Sequence, residues 1–189
     1  MFRKAFNTYN HYLKTAPFAT NFFTTGFLFG AGDVIAQYAL PSENTRQIEK
    51  SFDYNRTARA VFYGSVIFSP IGNKWMYFLQ RKVHWPGKST SNSGLNTVSK
   101  VLVDQLLFAP ASLVFYFSTM TIMEHGLDTE LIKKKLHNSG WSSLLTNWCV
   151  WPFIQLFNFK YVKVQHRLLM VNVIAIFWNT FLSFKNNNG

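Results

Sequence analysis

The sequence predicts an all-α fold, a polytopic transmembrane bundle of four helices with a fifth candidate span, in a single membrane-embedded domain over residues 1–189. Three observations predict it. Hydrophobic residues make up 48% of the chain and aromatics 18%, with 20 Phe, whereas charged residues reach only 14%, against about a quarter in a soluble domain. The apolar residues are gathered into long blocks, and a mean hydropathy of +0.01 arises because basic connectors dilute them. The blocks also approach the roughly 20 residues that a helical membrane crossing requires.

The elements follow in order. Residues 1–16 carry Arg3, Lys4 and Lys14 and no acid, the first acidic residue being Asp33. Phe2, Phe6, Tyr9 and Leu13 recur at helical spacing, which predicts a basic amphipathic helix. Two readings of it stand: a mitochondrial targeting helix, although without serine richness or a cleavage site, and an interfacial helix docking before the first span. Residues 17–40 form the first span, about 36 Å long as a helix, and Pro41 follows it. A weaker block at 57–79 is interrupted by Pro70 and Gly72 and contains Lys74. The stretch HWPGKSTSNSGLNT reads as a linker, and 98–123 as the next span. EHGLDTELIKKKLHNSG reads as a connector into the span at 141–159, and Lys160, Lys163 and Arg167 precede the last span at 168–184. Lys and Arg nearly tie between the two sides of such a bundle, so their count leaves orientation open.

Charge and cysteine content narrow the function classes. The net charge of +11 is spread between apolar blocks, as expected of loops that meet anionic lipid head groups. No soluble domain remains to present a nucleic-acid surface, so no direct nucleic-acid binding is expected. One cysteine, Cys149, excludes an intrachain disulfide, and five scattered histidines nominate no metal site. No cofactor and no catalytic set is expected.

Polar residues inside the apolar blocks are the informative ones. Gly26, Gly30, Asp33 and Gln37 share one helix face, and Gly26 with Gly30 lets another backbone approach closely. Asp104 and Gln105 begin a face continued by Ala111, Ser112 and Thr119. Trp148, Pro152, Gln155 and Asn158 share another, and Asn172, Ala175, Asn179 and Ser183 a fourth. Ala58, Ser65 and Gly72 recur every seven residues in the weaker block. A carboxylate facing lipid costs several kcal/mol, so these stripes face either one another or a polar path. Gly26, Gly30, Asp33, Gln37, Asp104, Gln105, Pro152, Gln155, Asn158, Asn172 and Asn179 are therefore candidates for lining a pathway or for packing helices.

Several of these residues fall into an ordered pattern. It runs from Gly30-x-Gly32-Asp33-x-x-Ala36-Gln37 through Asp53, Arg56, Arg59 and Gly64 to Lys74-Trp75. Asp104-Gln105, Ala109-Pro110 and Thr146-Asn147-Trp148 follow, then Trp151-Pro152-x-x-Gln155-x-x-Asn158-Phe159, Arg167, Phe177-Trp178-Asn179 and Leu182-Ser183. The pattern resembles the family of small peroxisomal and mitochondrial membrane proteins typified by Mpv and PMP, across nearly the whole chain. The stretch from Arg56 to Phe68 and the end from Val171 to Lys185 look most like its fungal, stress-inducible mitochondrial members. One departure is Val162-Lys163, where the family usually has Val-Pro. A looser or differently charged turn is expected there. The resemblance implies a multi-pass protein of the mitochondrial inner membrane, usually four-spanning. It also implies a link to channel activity, stress response and mitochondrial DNA maintenance, and no enzyme activity.

Three functions compete at this point. A channel for small solutes would take its charge preference from Asp33 and Asp104. A non-conducting member of a homo-oligomer or larger membrane assembly would use the stripes as packing seams. An intramembrane aspartyl protease is the remote third, since Gly30-Ala31-Gly32-Asp33 reads as G-x-G-D and Asp104 could complete a dyad. That class, however, places its other Asp earlier and follows with a Pro-Ala-Leu segment absent here.

Overall fold

The computed structural model describes residues 2–39, 52–85 and 94–188. Segments 40–51 and 86–93, with Pro41, Arg46, Lys50, Lys88 and most of both polar linkers, lie outside the described residues. Six helices make up the described chain: α1 (Phe2–Thr15), α2 (Pro17–Ala39), α3 (54–82), α4 (Gly94–His125), α5 (129–161) and α6 (Val164–Asn188). Successive long helices run antiparallel. Within α4 and α6, Gly94–His125 and Val164–Lys185 are by length and composition apolar enough to cross a membrane.

The helix ends follow local chemistry. Asp53 caps α3 by accepting from the Arg56 amide at 2.9 Å, and Asp128 caps α5 by accepting from the Leu131 amide at 2.9 Å. Gly126 ends α4 at φ 77°, a left-handed conformation that glycine adopts without strain. The expected connector before residue 141 is thus largely helical, because the Asp128 cap starts a helix twelve residues earlier. In α1, the side chains of Phe2, Arg3 and Phe6 lie outside the described residues, while Leu13 is buried and Tyr9 half-buried.

Pro70 and Gly72 do not interrupt α3. The helix widens into a π segment at Tyr63–Phe68, and α4 does the same at Asp104–Phe108. In both, the last five-residue bond reaches the residue just before a proline: Ser69 donates to Gly64, and Ala109 to Asp104. A proline lacks the N–H and crowds the carbonyl four residues back, and a wider turn accommodates both defects. The sequences around these turns, Val66-Ile67-Phe68-Ser69-Pro70 and Leu106-Leu107-Phe108-Ala109-Pro110, are parallel.

The π segments also rotate the buried face by one residue. Beyond Asp104 and Gln105, α4 buries Ala109, Leu113, Tyr116, Phe117 and Met120. The expected continuation through Ala111, Ser112 and Thr119 is corrected accordingly: Ala111 is exposed and the other two are half-buried. In α3, Ala58 is exposed while Ser65 and Gly72 are buried. In α6, which has no such segment, the expected stripe of Asn172, Ala175, Asn179 and Ser183 is buried throughout.

The turn between α5 and α6 is tied down without the family's usual proline. Val162 is extended at φ −92°, ψ 130°, and Arg167 donates to the carbonyls of Val162 at 3.0 Å and Phe159 at 2.9 Å. Hydrogen bonds from Arg167 replace the stiffness of a ring.

Two apolar cores stack along the bundle. One comprises Phe29, Tyr63, Leu113, Tyr116, Phe117, Met120 and Leu182; the other Met76, Leu79, Val101, Trp151, Phe159, Val171 and Ala175. Trp178 packs against both.

Candidate functional site

Buried polar side chains gather into three clusters, the first two drawing on the polar stripes. Between the two apolar cores, Asp104, at 3% exposure, accepts from Trp75 Nε1 at 2.8 Å on Oδ1. Its Oδ2 accepts from Gln105 Nε2 at 2.9 Å and Gln155 Nε2 at 3.0 Å. Gln105 Oε1 accepts from Asn147 at 3.0 Å, and Gln155 Oε1 from Asn158 at 3.1 Å. The π turn helps to build this cluster. Ala109 donates to Asp104, and the next residue, Pro110, has no N–H to give, so the carbonyl of Gln105 turns to Trp148 Nε1 at 2.9 Å.

Beside this cluster lies a cavity of about 90 Å³. Asp104, Gln105, Asn147, Gln155 and Asn179 are among its polar lining residues, set in a wall of aromatic and aliphatic side chains. It is large enough to hold several water-sized groups.

The second cluster surrounds Asp33, which is 1% exposed. Oδ1 pairs with Arg56 Nε at 2.7 Å and accepts a short bond from Ser183. Oδ2 accepts from Gln37 Nε2 at 2.8 Å and Thr57 Oγ1 at 2.7 Å. Gln37 also accepts from the Asp53 amide at 2.9 Å, and Arg56 donates to Ser183 at 2.9 Å. The cluster therefore joins α2, the start of α3 and the end of α6. Nearby, Glu124 pairs with Arg59 at 3.3 Å and Lys135 at 3.8 Å, tying α3, α4 and α5. Burial pushes the Lys135 ammonium below the usual lysine range; Glu124 opposes the shift and Arg59 adds to it.

The third cluster lies toward the opposite end. Arg167 donates to Gln80 Oε1 at 2.7 Å, and Lys100, 1% exposed, donates to the same oxygen at 3.0 Å. Sequence reasoning did not single out Gln80 or Lys100, because nothing local distinguishes a buried lysine from a loop lysine.

Of the predicted site residues, Asp104, Gln105, Gln155 and Asn179 meet at the cavity. Asn158 braces that cluster from behind. Asp33 and Gln37 belong to the second cluster. Gly26 and Gly30 seat α3, facing Ser65 and Val61 respectively. Asn172 donates to Thr25 at 2.8 Å, and Pro152 is half-buried in α5 and is not among the residues lining the cavity. Asp33 and Asp104 have separate sets of partners and make no contact with each other, so they do not form a proton-sharing dyad in this arrangement.

The Asp104 cluster, and Asp33, Gln37, Arg56 and Ser183 of the second, are built from residues of the ordered sequence pattern. A model of the Mpv17 / PMP22 family matches residues 121–183. Protein SYM1 of Saccharomyces cerevisiae is 50% identical over 184 residues, covering 97% of this chain and 91% of its own. Protein SYM1 of Candida albicans is 46% identical over 187 residues, covering 95% of each chain. The chain belongs to the Mpv17 / PMP22 family. Protein sym-1 of Neurospora crassa is also similar, at 40% identity over 178 residues, 94% of this chain and 96% of its own. No solved structure matches the chain.

In this Mpv17 / PMP22 protein the segment from Asn147 to Asn158 carries most of the Asp104 cluster. Trp148→Phe removes the donor to the Gln105 carbonyl while keeping an aromatic ring. It is expected to lower stability by about 1–2 kcal/mol, read as a drop in the thermal midpoint of the detergent-purified protein. An unchanged midpoint would show that the carbonyl finds another donor.

Proposed function

We propose that this chain is a non-enzymatic, multi-pass protein of the mitochondrial inner membrane that provides a pathway for small solutes. In this role it supports matrix metabolite balance, the stress response and mitochondrial DNA maintenance. The observation that carries the reading is the cavity between the two apolar cores, with Asp104, Gln105, Asn147 and Gln155 on its wall. Polar groups converging on a space at mid-bundle are what a solute path requires. The π turns at Tyr63–Phe68 and Asp104–Phe108, each with its proline, supply adjustable backbone beside that space.

Five crossings fit this reading. Helices α2 to α6 are each about 35 Å or longer, and each turns a large apolar side chain outward: Phe27, Val66, Leu106, Phe153 and Phe177. The family membership supports the membrane setting, and the basic loops suit anionic head groups.

The test is flux from liposomes reconstituted with purified protein and loaded with small neutral and charged solutes. Release faster than from protein-free liposomes is expected, and release at the protein-free rate would overturn the pathway. A second reading, a packing component of a homo-oligomer or larger assembly, is favoured by the four donors that saturate Asp33. A stable partner that co-purifies, together with absent flux, would support it.

A further inference from the structure

The wall of the cavity specifies a ligand chemistry. The three donors to Asp104, from Trp75, Gln105 and Gln155, are all neutral. Among the described residues, no Lys, Arg or His forms an ion pair with this carboxylate. Both of its oxygens accept hydrogen bonds, and a cation bound beside them would favour the ionised form of this buried carboxyl. An ionised carboxylate buried without a cation is costly in a low dielectric, and a cation beside it removes that cost.

The space beside Asp104 suits such a cation. Tyr63, Phe68, Phe108, Tyr116, Trp151 and Trp178 line it, and aromatic rings attract ammonium groups through their negative faces. Trp151 Nε1 and Asn179 Nδ2, on residues that also line the cavity, make no hydrogen bond, and both side chains are more than nine-tenths buried. These two donors suit the oxygen of a water accompanying the cation. The volume of about 90 Å³ takes ammonium or methylammonium together with water.

We propose that this cavity is a binding site for a small monovalent cation of the ammonium class, held by Asp104 and the surrounding rings. The site deepens the solute-pathway reading and takes its entry route from it.

The experiment titrates detergent-purified protein with methylammonium chloride against sodium chloride at constant ionic strength, following tryptophan fluorescence and calorimetric heat. Saturable binding is expected for methylammonium, with potassium chloride distinguishing an alkali cation from an ammonium ion. Asp104→Asn is expected to weaken binding about tenfold or more, and Phe108→Leu about threefold through loss of one ring. The second variant decides the matter if the first does not fold. No saturable methylammonium response in the wild type, an equal response to potassium, or affinity unchanged in the folded variants would overturn the site. Binding without liposome flux would overturn only the pathway reading; flux without binding would overturn only this one.

Discussion

Asp33→Ala is expected to destabilise the fold by about 3–5 kcal/mol, the usual cost of removing one partner from a buried ion pair. The reason lies in what remains. Arg56 would stay buried beside Ser183 with its carboxylate gone, and Gln37 and Thr57 would each lose an acceptor. The thermal midpoint of the purified protein should fall by roughly 6–20 °C, at about 2–4 °C per kcal/mol for a chain of this size. Replacing both members of the pair, as Asp33→Leu with Arg56→Met, should recover a large part of the loss, because no uncompensated charge is left. A single variant as stable as the wild type, or a double variant no better than the single, would refute the ion pair as the lock joining α2, α3 and α6.

The second large effect is expected at Gly32. A Cβ there would stand 2.7 Å from the Asn179 Cβ and 3.1 Å from the Ile176 carbonyl oxygen, so α2 and α6 could not keep their spacing. Gly32 also accepts a hydrogen bond from Thr180 at 3.1 Å through its own carbonyl, and separation would stretch it. Gly32→Val is expected to cost about 2–3 kcal/mol by overpacking, seen as a lower thermal midpoint and a smaller monodisperse fraction in size-exclusion chromatography. Gly94→Ala is the matched control, because a Cβ at Gly94 meets nothing within 4 Å. A Gly32 variant indistinguishable from this control would show that the helices part at little cost.

Legibility in the sequence depended on whether a helix stays regular. The stripe from Asn172 to Ser183 was readable because α6 keeps its ordinary period along that stretch. The continuation of the Asp104 face was misread at Ala111, Ser112 and Thr119 because the π turn inserts one residue into the count. The proline two positions beyond the wide turns at Tyr63–Phe68 and Asp104–Phe108 was visible, but its effect on register was not, since a proline can instead kink or end a helix. Gly32 was visible as part of the Gly-Asp motif, while its tight contact with α6 joins residues nearly 150 positions apart.

By itself the sequence determined that this chain is helical and built for a membrane, because apolar blocks of that length admit few other structures. It also determined that Asp33, Asp104 and the amide side chains could not face lipid, because burying them unpaired is too costly. Only the tertiary structure decided their partners. Asp33 found a cation in Arg56, 23 residues away on the neighbouring helix, whereas Asp104 found three neutral donors and a cavity. That difference follows from which helix faces meet, and a one-residue shift at each wide turn is enough to change it.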